Sequence, residues 1–111
     1  MPLKRIVKID TDTIPAGGFK DIVYAPETNL RIKKIIAVEA SGNPLNNVHA
    51  TLYIGDVPYA FPDVSLAVFS PANFHNPDID LVLAAGQKLV MRVTNNESAA
   101  RRIFIYLICV E

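Results

Sequence analysis

Two strand-like runs joined by a polar turn, from Lys88 to Val110, constrain the fold more than any other feature. Leu89, Met91 and Val93 interleave with Lys88, Val90, Arg92 and Thr94. Such alternation sends successive side chains to opposite faces of a strand, whereas a helix needs apolar positions spaced three and four apart. The polar turn Asn95-Asn96-Glu97-Ser98 follows, and Arg102 to Val110 closes the chain. In that last run Phe104, Tyr106, Ile108 and Val110 share one face while Ile103, Ile105, Leu107 and Cys109 share the other. Both faces therefore call for burial, although a two-layer sandwich covers only one face of each sheet. The second face calls for a loop, a long side chain or a neighbouring subunit.

The same punctuation runs upstream. Leu3 to Ile9 is β-branched and charged, and Pro15-Ala16-Gly17-Gly18 makes a turn that a helix interior does not tolerate. Phe19 to Tyr24 forms a second run and Leu30 to Ala40 a third. In the third, alternation predicts Leu30, Ile32, Ile36, Val38 and Ala40 on one face, with Lys33 and Ile35 opposite. Val48, Ala50, Leu52 and Ile54 alternate with His49, Thr51 and Tyr53, the pattern of a half-buried strand. Val64, Leu66 and Val68 predict a further short strand, with a single helical turn as the competing reading. Ser70 to Pro77 reads as a loop, after which Ile79, Leu81 and Leu83 alternate with Asp80 and Val82. About eight short strands separated by Pro, Gly and Asn turns, with no sustained helical period, predict an all-β fold, an antiparallel β-sandwich of jelly-roll type. An immunoglobulin-like sandwich is the runner-up, and it lacks its usual cysteine pair and tryptophan here. Half of the 111 residues are hydrophobic, which suffices for one core, so residues 1–111 are expected to form a single domain.

Chemistry finds few footholds. Eleven basic and eleven acidic residues cancel, which removes the long-range attraction that nucleic-acid and membrane-surface binders use, so neither partner is expected. The longest apolar run, Ile103 to Val110, is too short to cross a bilayer as a helix, and no apolar segment of signal-peptide type follows the basic N-terminus. A soluble chain with a mature start is expected. Asn96-Glu97-Ser98 fits the glycosylation pattern but reads as a polar turn. His49 and His75 are far apart and neither starts a His-x-His pair, so a metal site of cupin type is not expected. Asp10-Thr11-Asp12 and Asp78-Ile79-Asp80 lack the glycine and terminal glutamate of a calcium loop. There is no Gly-x-Ser-x-Gly element and no phosphate-binding glycine loop, and Cys109 sits within an apolar run as a small buried hydrophobe. No cofactor and no enzymatic activity are expected.

Interaction residues are the remaining candidates. Tyr53, Tyr59, Phe61, Phe69 and Phe74 cluster in mid-chain, partly in loop sequence, where rings held by a rigid sandwich can anchor a partner. Arg101 and Arg102 form a basic pair suited to a solvated face or to ion pairing between subunits. The candidate interaction residues are thus Tyr53, Tyr59, Phe61, Phe74, Arg101 and Arg102. The segments Ile79 to Leu83, Gly86 to Asn96 and Arg102 to Val110 together resemble the closing strands of small jelly-roll modules found in phage and viral particles. That resemblance implies a capsid decoration, cement or tail-associated role, without catalytic residues, in a virion assembled in the host cytoplasm. It also implies a homo-oligomer, a trimer by preference, bound to a larger protein assembly such as a viral capsid. A carbohydrate- or receptor-binding β-sandwich is the alternative; it draws on the loop aromatics, and the absence of tryptophan weighs against it.

Overall fold

Turn residues decide where the strands stop. At Pro15 to Gly18 the Gly18 N–H donates to Pro15 O at 2.9 Å, and Gly17 takes a φ of +75°, open to glycine at no steric cost. The computed structural model describes residues 4–54, 57–58, 64–71 and 79–110. Its strands are β1 (Lys4–Ile14), β2 (Phe19–Tyr24), β3 (Leu30–Glu39), β4 (Val48–Ile54), β5 (Val57–Pro58), β6 (Val64–Ser65), β7 (Leu81–Leu83), β8 (Leu89–Asn95) and β9 (Arg101–Val110). Among the described residues there is no α-helix, and a 3₁₀ turn at Leu66–Phe69 is the one helical element.

The pairing follows a single rule. β1 pairs with β9, β2 with β8, β3 with β7 and β4 with β6, all antiparallel. Lys4 meets Val110, Phe19 meets Thr94, Leu30 meets Leu83 and His49 meets Ser65, so every ladder is centred close to Val57. The chain is one long hairpin, broken into four segments and rolled up. Rolling adds the pairings of β3 with β9 and of β4 with β8. The products are a four-stranded sheet, order β1-β9-β3-β7, and a five-stranded one, order β2-β8-β4-β5 with β6 also on β4. They are called sheet I and sheet II below. Strands cross from one sheet to the other along the roll, which is the jelly-roll sandwich expected from the sequence.

Inward side chains of both sheets form one core. Ile32, Ile35, Ile103, Ile105 and Leu107 of sheet I meet Leu52, Leu89, Met91 and Val93 of sheet II, all of them essentially inaccessible to solvent. Burial on this scale contributes roughly 2 kcal/mol for each large aliphatic side chain and offsets the entropy of ordering the chain. Asn95, buried at the end of β8, ties the sandwich end together. Its Nδ2 donates to Ile14 O and Ala99 O, each at 3.0 Å, and its Oδ1 accepts from Glu97 N–H at 3.0 Å.

Three local expectations need correction. In β3 the register shifts between Ile32 and Lys34, a β-bulge that uses one extra residue. Parity reverses beyond it, so Ile35 and Ala37 point into the core, Ile36 and Val38 lie on the outer face of sheet I, and Ala40 lies outside the strand. β1 continues past Ile9 to Ile14 through a second bulge at Asp10 to Thr13, where Asp12 has a φ of +57°. There Thr11 Oγ1 accepts the Ile103 N–H at 3.1 Å, replacing the ladder bond that the bulge displaces. Finally, the Val64 to Val68 segment is a two-residue strand followed by the 3₁₀ turn. Ser65 caps that turn by accepting from Ala67 N–H, a local bond that competes with further strand.

Candidate protein interaction surface

β9 is central in sheet I, and its alternation divides Arg101 from Arg102. Arg101 follows the inward parity of Ile103 at the sandwich end, with Ile14 as its register partner. Its Nη1 donates to Ala100 O at 3.2 Å, while its Nε is buried without a hydrogen-bond partner. Arg102 lies on the outer face. Its Nε donates to Asp10 Oδ1 at 3.0 Å and its Nη2 donates to Asp10 Oδ2. A basic pair along a strand cannot form one patch, because its members face opposite ways. The Arg102 guanidinium, helped by the Asp12 N–H donating at 2.9 Å, holds the Asp10 carboxyl down to about 2.

The outer face of sheet I is built in cross-strand rows. Asp10, Phe104 and Val38 form one row and Lys8, Tyr106 and Ile36 the next. Ile6, Ile108 and Lys34 form the third. Phe104, Tyr106, Ile108, Ile36 and Val38 are half-buried by their neighbours, and Ile6 is 66% exposed. Lys8 Nζ lies 4.4 Å from the Phe104 ring centroid and the Arg102 guanidinium 5.5 Å from it, so two cations lie against the aromatic at one end of the patch. At the far edge Asp80 pairs with Arg31 at 3.3 Å and with Lys33 at 3.5 Å. At the Val38 end the rows border the groove that Ala67, Ser70 and Pro71 line from the other side. Partly accessible apolar residues that adjoin in this way mark an interaction surface more often than scattered ones do.

The outer face of sheet II differs. Tyr53 lies there half-buried on β4, with Val90 and Pro58 as register partners. Val23, 56% exposed, completes its row; the next row holds Thr51 and the bidentate pair of Arg92 with Asp21, at 2.8 and 3.1 Å, and the one beyond holds His49, Thr94 and Phe19. That pairing holds the Asp21 carboxyl below its ordinary range, and the Arg92 guanidinium sits 4.5 Å from the Phe19 ring centroid. Tyr53 and Arg102 thus occupy opposite outer faces and form no common site. Tyr59, Phe61 and Phe74 lie outside the described residues, and Phe69 is a core residue, 3% exposed.

Two further places hold functional groups. A groove of about 440 Å³ runs past Glu39, Asn43, Asn46 and Ser70. The Glu39 carboxylate in its wall accepts from Asn43 Nδ2 at 2.6 Å and from Ser41 N–H, so it closes the turn after β3. Cys109 is buried on the core side of β9, and burial pushes its thiol up, away from the reactive thiolate. Among the described residues no cluster of three or more His, Cys, Asp or Glu is arranged to hold a metal ion. Compared with known proteins, the chain matches no family model, no curated protein and no solved structure.

Sequence reasoning identified Arg102 but missed its setting. Asp10 is 92 positions away in the chain, and the β3 bulge puts Ile36 and Val38 on the face opposite to the one that simple alternation predicts. The available signal was Phe104-x-Tyr106-x-Ile108, an apolar row on a strand whose opposite face is already apolar.

Proposed function

We propose that the chain is a non-catalytic structural protein that acts by assembly, as a virion-associated decoration or capsid-auxiliary protein working as a homo-oligomer. The observation that carries this reading is the apolar outer face of sheet I, where the partly accessible Phe104, Tyr106, Ile108, Ile36 and Val38 adjoin over a fully formed core. The cross-strand packing of these residues already serves the monomer, and the apolar surface they still show to solvent contributes to association. The virion-associated role rests on the resemblance of the closing strands, Ile79 to Leu83, Gly86 to Asn96 and Arg102 to Val110, to particle-associated jelly-roll modules.

Native mass measurement and incorporation into purified particles of the source test it. A multimer at micromolar concentration that joins the particle supports the reading. A monomer that stays out of every particle fraction overturns it. The outer face of sheet II, with Phe19 56% exposed beside Thr94 and Arg92, favours glycan binding as a second reading. Specific glycan-array binding that is lost with Phe19→Ala would replace the first reading by that one.

A further inference from the structure

The outer face of sheet I has a self-complementary order, and this bears on what covers it. We infer that two copies of the chain pack sheet I against sheet I about a two-fold axis that crosses the strands over the Ile9-Ile105-Ala37 row, so that Lys8 of each copy meets Asp10 of the other. The inference rests on the homo-oligomer reading and names its partner surface.

Face packing is favoured over edge pairing by the construction of β1. This edge strand carries Arg5, Lys8 and Asp10 and is broken by the bulge at Asp12, which are devices that block strand addition. The face has no such block. Strands in packed sheets lie close to aligned, so the possible two-fold arrangements are few. An axis along β9 would set Lys8 and Asp10 over Ile36 and Val38 of the second copy, which places charge on apolar surface. An axis across the Tyr106 row would set Lys8 on Lys8, and one across the Phe104 row would set Asp10 on Asp10. An axis across the Ile105 row exchanges the two central rows. Lys8 then falls over Asp10, Tyr106 over Phe104 and Ile36 over Val38. Every position in these two rows meets a residue of matching character and like charges stay apart; in the flanking rows Arg102, held by Asp10, falls over Ile108 at the margin of the contact.

Asp10 can serve both contacts, since a carboxylate has lone pairs beyond those that Arg102 occupies. Area sets the strength. Three strands of ten or eleven residues and the three-residue β7 offer a face on the order of 500 Å² per copy. Two such faces reach about 1,000 Å², the size of weak specific interfaces, so a dimer that dissociates in the micromolar range is expected.

The test is a charge exchange read by light scattering or analytical ultracentrifugation, with circular dichroism to verify folding. Lys8→Glu alone sets acid against acid at both contacts, and Asp10→Lys alone sets base against base. Each variant is expected to weaken the dimer by roughly a hundredfold, and an equimolar mixture of the two to restore it, because each contact then joins opposite charges. Variants that dimerise like the parent protein, or folded variants whose mixture stays monomeric, overturn the inference. Should Asp10→Lys fail to fold after losing Arg102, Tyr106→Lys replaces it. That change is expected to abolish the dimer while Thr94→Lys on sheet II leaves it intact, and equal effects of the two overturn the inference. A parent protein that is a trimer overturns the two-fold contact and leaves the homo-oligomer reading standing, whereas a parent monomer overturns both.

Discussion

The two outer faces of the sandwich contain the same small constellation and use it differently. Sheet I has Phe104 with Arg102 and Asp10, and sheet II has Phe19 with Arg92 and Asp21; in each, an arginine sits against a ring while forking onto an aspartate. On sheet II the ring is on the edge strand β2, the rows beside it on the central strands present Thr94, His49 and Thr51, and the apolar row of Val23, Val90 and Tyr53 lies beyond them. On sheet I the ring is on the central strand β9 and is followed by Tyr106 and Ile108, with Ile36 and Val38 alongside. An aromatic–arginine–aspartate unit is therefore compatible with a solvated face. What separates the two faces is whether the neighbouring positions, in register, are polar or apolar.

The largest expected effect separates the two sides of β9. Ile105→Asp places an unpaired charge in the core and is expected to unfold the domain, at a cost of several kcal/mol, on the order of its whole stability. Loss of the β spectrum in circular dichroism checks it. Tyr106→Asp, one position along, is expected to keep the fold and change only association, so unfolding there as well would remove the distinction between core and outer face.

Asn95→Ala breaks the polar tie that joins the β1–β2 turn to the β8–β9 turn and so links the ends of both sheets. It leaves the carbonyl of the buried Ile14 without its side-chain donor, and a loss of about 1–2 kcal/mol in urea denaturation is expected. A loss below about 0.5 kcal/mol would show that the sheets hold without it. Tyr106→Ser and Tyr53→Ser then compare the faces directly. The first is expected to reduce self-association and the second to leave it unchanged, by light scattering at equal concentration. Equal effects would erase the difference between the faces.

The smallest effect concerns the two aspartates. Both are exposed, and their ion pairs contribute little to stability. Asp10 titrates at about 2 in the fold against an ordinary value of 3.8. Its stabilising contribution is therefore complete above 3.8 and is lost as the pH falls through about 2. NMR titration of its carboxyl is expected to show the low midpoint, and Arg102→Ala to return it towards 3.8. Arg92→Ala is expected to raise Asp21 in the same way. An Asp10 midpoint that stays low without Arg102 would assign the effect to the Asp12 N–H.

The strands were legible where alternation ran without interruption. In β4, β8 and β9 each inward residue follows from parity, down to Cys109 on the core side. In β3 parity failed at Lys33, because a bulge leaves no composition signal when the residues around it are lysines and isoleucines. The 3₁₀ turn at Leu66–Phe69 was legible only as an alternative, since Val64, Leu66 and Val68 fit a period of two until Ser65 caps the turn. Of the candidate interaction residues, Arg102 and Tyr53 lie on outer faces, but on opposite ones.

The chain by itself determined that it is all-β, where its turns fall and that its last strand is apolar on both sides. These are local matters, set by side-chain period and by residues that accept a turn. Only the tertiary structure decided which rows adjoin. The roll brings β1 and β3 to either side of β9, and its bulges set Lys8 and Asp10 beside Tyr106 and Phe104 and turn Ile36 and Val38 outward. Register between strands far apart in sequence is chosen by hydrogen bonds and core packing along the whole ladder, and no local pattern contains that information.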